Sequence, residues 1–209
     1  MIRDTVTHTY LGQRYDVPRR DTFQAKCYRG ERKAFGNEFG APLEDASMTG
    51  CQEFVDRVLH SATWLRLREE HGMLSPKFAV PGPGHCWIQK RGMEISDGRG
   101  CRFARGGGRH LILPVWARTK PVILHEMAHC LVGSSQGHNW PFCRAYIDLV
   151  SMFIGKAWAT LLECELKKAG ARTRPPKRMT EEAKAALAAR GRAALLAYAA
   201  SKQPKGESK

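Results

Sequence analysis

Residues Pro121–Val132 read PVILHEMAHCLV, the glycine-flanked loop Gly133–Gly137 reads GSSQG, and His138–Val150 continue as HNWPFCRAYIDLV. Pro121 suits a first helical turn, where its missing N–H has no partner to lose, and Gly133 ends the run. The segment is therefore a helix whose apolar residues Val122, Ile123, Leu124, Leu131 and Val132 flank two histidines, His125 and His129. Four residues apart, these share one helix face with a rise of about 6 Å, so both imidazoles can lean onto one ion at about 2.0–2.1 Å. Glu126 is rotated about 100° from His125 and flanks such an ion without binding it. The glycine loop reverses the chain and returns His138 to the same place. Three nitrogen ligands leave a fourth position open, as catalytic rather than closed structural sites do. Zinc is the metal expected from imidazole ligands, and three neutral rings leave its charge free to acidify water strongly.

Outward from this core, hydrophobic spacing predicts a helix over 49–71, with Phe54, Val58, Leu59, Ala62, Leu65 and Leu67 largely on one side. Asp21–Lys33 reads as a short helix or strand in a turn-rich N-terminal region. Glycine and proline punctuation between residues 77 and 116 predicts short strands at 86–90, 93–96 and 110–115, with Gly106–Gly108 as a turn near the cleft. A long helix is expected over 140–168, then a Pro/Arg linker at 170–179. Thr180-Glu181-Glu182 caps a last Ala-rich helix reaching about Ser201. The expected class is α+β: a small antiparallel sheet packed on the histidine-bearing helix, flanking helices, and a basic C-terminal helical tail. Its boundaries are 1–169 for the domain and 170–209 for the tail.

His125-Glu126-Met127-Ala128-His129 followed by His138-Asn139-Trp140-Pro141-Phe142 resembles the zincin metalloproteases, and most nearly their SprT-like group. There an HExxH helix precedes an H-G-x-x-F element; Asn139 stands where that pattern has Gly. The chain also resembles a family of metallohydrolases of actinobacteria and their phages, in which an R-D…Y-x-x-E element, here Arg20-Asp21…Tyr28-Arg29-Gly30-Glu31, precedes the HExxH core. The resemblance covers residues 20–165 and implies peptide-bond hydrolysis, with His125, His129 and His138 on zinc and Glu126 as general base. It also implies that the strand before the helix, from His110, is an edge strand that pairs with an extended substrate. Spacing separates other zincin classes. The third histidine lies nine positions after the second, too far for metzincins, and Glu163 or Glu165 would be the third ligand in a thermolysin-like arrangement; His138, close to the first pair, is preferred. His110 and Tyr146 are candidates for an oxyanion donor and Asp148 for orienting a ligand histidine, with structural roles favoured for all three. His85 beside Cys86 reads as incidental, and Trp87, Trp116, Trp140 and Trp158 as core residues.

Composition sets the remaining bounds. Of 209 residues, 43% are hydrophobic and 26% charged, as in ordinary globular proteins. The most apolar stretch, 145–162, is interrupted by Asp148 and Lys156, so no membrane span is expected. Seven dispersed cysteines suit a reducing compartment, and the N-terminus has no apolar leader, so the expected location is cytoplasmic, in a bacterial or phage-infected cell. Residues 167–209 hold twelve Lys or Arg against three Glu, so nine of the chain's net +14 charges lie there. The expected partners are a protein or peptide substrate and, through the tail, nucleic acid. The alternative reading is a non-catalytic zinc-containing nucleic-acid-binding or phage structural protein.

Overall fold

The structure is a computed structural model that describes residues 5–10, 13–18, 21–36, 43–71, 92–133 and 137–175, all within the compact unit Met1–Pro175. The expected strand at 86–90, His85, Trp87 and the final helix at 180–201 lie outside the described residues. The class is α+β as expected. Strands β1 (Thr5–Tyr10) and β2 (Gln13–Pro18) form an antiparallel hairpin with Tyr10 opposite Gln13. Helices α1 (Gln24–Phe35), α2 (Met48–Leu59) and α3 (Ala62–His71) follow. Next come strands β3 (Glu94–Asp97), β4 (Arg105–Gly107) and β5 (His110–Leu113). Helices α4 (Lys120–Val132), α5 (Trp140–Phe153) and α6 (Lys156–Lys168) complete the unit.

Helix α4 is the spine. Nearly every residue from Pro121 to Val132 is buried, which only a helix packed on all sides allows. It packs against β4 and β5, against α3, and against α5, which in turn packs on α6. Leu111 and Leu113 of β5 point inward with no exposure, meeting a core that includes Ile123, Leu124, Phe142 and Tyr146. Each such side chain contributes about 1.5–3 kcal/mol by leaving water.

Two expected helices are each broken in two. The 49–71 segment bends at His60 and Ser61, where the Ser61 hydroxyl donates to the Val58 carbonyl and accepts from the Trp64 N–H at 3.0 Å, starting α3 afresh. The break leaves Leu65 exposed while Trp64 and Leu67 are fully buried. The 140–168 segment breaks at Gly155, whose φ of 141° a side chain rarely adopts.

The sheet is mixed rather than antiparallel, in the order β3-β5-β4. β5 runs parallel to β3 and antiparallel to β4, so the strand before α4 is central and has no free edge for substrate. The reason lies in the 98–104 connection, which crosses the end of β5. Gly98 lies so close to Pro114 that an added Cβ would stand 2.7 Å from its nitrogen. Gly106 and Gly107, expected in a turn, belong to β4, and only Gly108, with φ of 62°, turns the chain.

Helix α1 lies against α6 through Gly30, where an added Cβ would stand 2.9 Å from both Cα and Cδ2 of Leu166. Gly30→Ala gains helix propensity of about 1 kcal/mol but overpacks this contact by about 1–3 kcal/mol. A net destabilisation of up to about 2 kcal/mol is expected, read as a lower urea midpoint at unchanged slope.

Candidate metal centre

The local sequence delivers each histidine to one point. Helix α4 carries His125 and His129 on one face, and the Asn139 side chain caps α5 by accepting from the Trp140 N–H at 2.9 Å. Asn139, the departure from the Gly of the SprT-like pattern, thus starts the helix that follows His138. The three imidazole centroids are 5.0 Å (His125–His129), 5.1 Å (His125–His138) and 4.7 Å (His129–His138) apart. Phe142 touches all three rings at 4.3–4.8 Å and stacks on His129. A tetrahedral ion with nitrogens at about 2.0–2.1 Å holds ring centroids about 5 Å apart and nitrogens about 3.3 Å apart. The Nε2 atoms of His125 and His138 are 3.2 Å apart.

Helix α1 and the turn before it supply what fixes these rings. Glu31 Oε1 lies 2.5 Å from His125 Nδ1, and both groups are buried. Asp21 Oδ2 accepts from the backbone N–H of His138 at 2.9 Å and also engages that residue's Nδ1. When it is ionised, a carboxylate on Nδ1 selects the tautomer with its proton there, which leaves Nε2 as a bare lone pair. Two lone pairs facing each other at 3.2 Å repel unless a cation lies between them. The residues fit a metal on that ground.

The buried group Cys27, His125 and His138, with donor atoms within 4.8 Å of one another, could hold a metal ion. The Cys27 thiol donates to Glu31 Oε1 at 3.5 Å, the oxygen that also meets His125 Nδ1, so its sulfur packs beside the carboxylate behind the ring. Burial holds that thiol well above its ordinary value, and Cys143 and Glu31 add to the shift.

Electrostatics follow from enclosure. Burial pushes His125 and His129 well below 6.5, reinforced by the neighbouring imidazoles, so both rings are neutral and ready to ligate. Burial raises Glu31 to about 8. It raises Glu126 likewise to about 8, with Glu31 adding repulsion and the Gly106 N–H opposing it. Asp21 is the exception: burial raises it, but His138 and the Phe23 and His138 N–H groups together lower it. Glu126 meets β4 so closely that a Cβ on Gly106 would stand 2.2 Å from the Glu126 carbonyl oxygen.

Of the other candidates, all but Tyr146 fall outside this cluster. His110 Nε2 pairs with the Ser96 hydroxyl at 2.6 Å, and Asp148 bridges to Arg144 at 2.9 Å. Glu163 and Glu165 are held by Lys167 and Lys168 at 2.6 Å. Tyr146 is buried with its ring 5.4 Å from His125 and lines the pocket beside it. Trp140 is core, whereas Trp116 and Trp158 are 49% and 40% exposed. In the tail, Arg172 lies over the Phe23 ring and Arg174 reaches Glu163 at 4.0 Å; residues 176–209 lie outside the described residues.

Comparison with protein families, with curated proteins and with solved structures finds nothing that matches this chain. The site therefore rests on its own geometry. No helix among the described residues is long and apolar enough to cross a membrane, and the six described cysteines are free.

Two predictions follow from the carboxylates. Asp21→Asn and Glu31→Gln should each weaken metal affinity by about 10–100-fold in chelator competition, since an outer partner orients the ligand and raises its basicity. The second concerns the metal-free protein. There Glu31 and Glu126 keep protons up to about pH 8 that the unfolded chain loses near 4.5. His125 and His129 refuse protons that the unfolded chain takes below 6.5. The two effects offset between pH 4.5 and 6.5; above 6.5 only the carboxylates act, and stability falls as pH rises. The urea midpoint of metal-free protein should drop between pH 6.5 and 8. Metal-saturated protein should not show that drop, because the cation favours the ionised carboxylates.

Proposed function

We propose that the protein is a zinc-dependent metallohydrolase that cleaves peptide bonds, with His125, His129 and His138 holding the metal and Glu126 as general base. The observation that carries this reading is the clustering of three imidazoles with ring centroids 4.7–5.1 Å apart, the Nε2 atoms of His125 and His138 lying 3.2 Å from each other. The imidazole donors favour zinc, and the carboxylates on Nδ1 are the partners such ligands use. Cys27 donates to Glu31 behind the His125 ring, and this reading leaves it off the ion. The fourth position thus stays open toward the pocket that His125 and Glu126 line.

When bound, the ion polarises the scissile carbonyl and acidifies water. Glu126 takes a proton from the attacking water and delivers it to the leaving nitrogen, the work of a carboxyl with a raised proton affinity. The Gly106 N–H holds that carboxylate in place. His125 and His138 are kept in one orientation by Glu31 and Asp21, so no rotamer search precedes each turnover. The zincin-like domain of this reading spans 1–169, and the basic segment 170–209 recruits a polyanion. With six phosphate contacts its affinity for single-stranded nucleic acid or duplex falls with salt at a log–log slope of about −4 to −5.

Glu126→Gln should keep its zinc by elemental analysis and lose about 10²–10⁴-fold in the rate of cleavage of denatured casein. His129→Ala should lose both. Cleavage by the glutamine variant at the wild-type rate would contradict the assignment of the base.

A further inference from the structure

The pocket beside His125 and Glu126 has a volume of about 330 Å³ and two unlike halves. Its inner wall is buried and includes Val122, Tyr146 and the two site residues. Its outer wall is exposed, with Phe103 at 55% and Trp116 at 49% beside Arg32 and Arg102. Two large aromatic side chains half in water on one mouth form an apolar surface that a ligand can cover.

The arginines give that mouth a sign. Among the described residues neither forms an ion pair: Arg32 Nε donates only to the Tyr28 carbonyl at 3.4 Å, and the Arg102 guanidinium lies over the Phe103 ring at 5.2 Å. Arg32 acts on the buried Glu31 from a distance, which leaves Arg102 as the cation without an ion pair among the described residues. A guanidinium lying over an aromatic ring keeps N–H groups at its edge for a planar, two-toothed acceptor. Because Arg102 and Phe103 are consecutive, the cation stands about one residue's length from the aromatic rim.

We propose that this pocket takes a bulky apolar side chain, aromatic for preference, of a peptide that bears a carboxylate one or two residues away. The inference rests on the peptidase reading and names its substrate class. The carboxylate is an Asp or Glu side chain or the peptide's free C-terminus, two sources of the same chemistry. Glu31 and Glu126 do not oppose it, since both lie on the buried wall and the arginines on the exposed one.

The test separates binding from cleavage. Zinc-loaded, full-length Glu126→Gln protein is titrated with fluorescent hexapeptides that place Phe beside Asp, Phe beside Lys, or Ala beside Asp. Each is made with a free and an amidated C-terminus. The Phe–Asp peptide should bind at least about tenfold tighter than either of the others. A carboxylate supplied by the terminus shows as a loss on amidation, one supplied by the side chain as no change. Adding Arg102→Glu should invert the order of the Phe–Asp and Phe–Lys peptides, and Arg102→Gln should level it, with zinc content unchanged in both. Equal binding of the Asp and Lys peptides together with no loss on amidation, no effect of either Arg102 variant, or no binding of any peptide overturns the proposal. Preferential binding with no cleavage by the wild-type chain sinks the peptidase reading and leaves the pocket assignment standing. Cleavage of all the peptides at one rate does the reverse.

Discussion

Two carboxylates from the α1 region grip the outer nitrogens of two imidazoles and turn their inner nitrogens toward each other across 3.2 Å. In water neither arrangement would persist, because each charged or polar group would be solvated separately. In the interior burial raises Glu31 while His138 and nearby N–H groups lower Asp21, and once Glu31 is ionised the facing lone pairs repel. A divalent cation removes both penalties at once: it fills the gap between the nitrogens and its charge favours the ionised carboxylates. The fold around the site holds this set together without it.

That arrangement can be followed residue by residue. Gly30 lets α1 approach α6, which sets Cys27, Tyr28 and Glu31 against the face of α4. Gly106 lets β4 approach α4 from the other side, bringing its N–H to Glu126. Phe142, fully buried, packs against all three rings. The cluster is therefore enclosed by packing that tolerates no extra carbon, and His125 reaches the pocket.

The clustering of the three histidines was legible from spacing, whereas Cys27, grouped with His125 and His138, was not. HExxH on a helix and a histidine after a glycine loop predict the three rings that converge, because helix geometry fixes which side chains share a face. The helix ends at Pro121 and Gly133 and the α+β class were equally readable. Asp21 and Glu31 were visible only as part of a resembling element, since a carboxylate 94 residues before its histidine partner carries no periodic signal. Sheet order was the main error: a strand of alternating burial looks alike at an edge or in the centre, and only the crossing at Gly98 makes β5 central. The breaks at Ser61 and Gly155 were missed because apolar spacing runs on across them. Trp116 reads as core by residue type, yet its neighbours place it at a pocket mouth.

The account stands on the metal's ligands, and X-ray absorption at the zinc edge of the zinc-loaded full-length protein examines them directly. It should show three imidazole nitrogens and one further oxygen at about 2.0–2.1 Å, with no sulfur. A sulfur at about 2.3 Å would put Cys27 on the ion, close the fourth position and contradict the hydrolase reading.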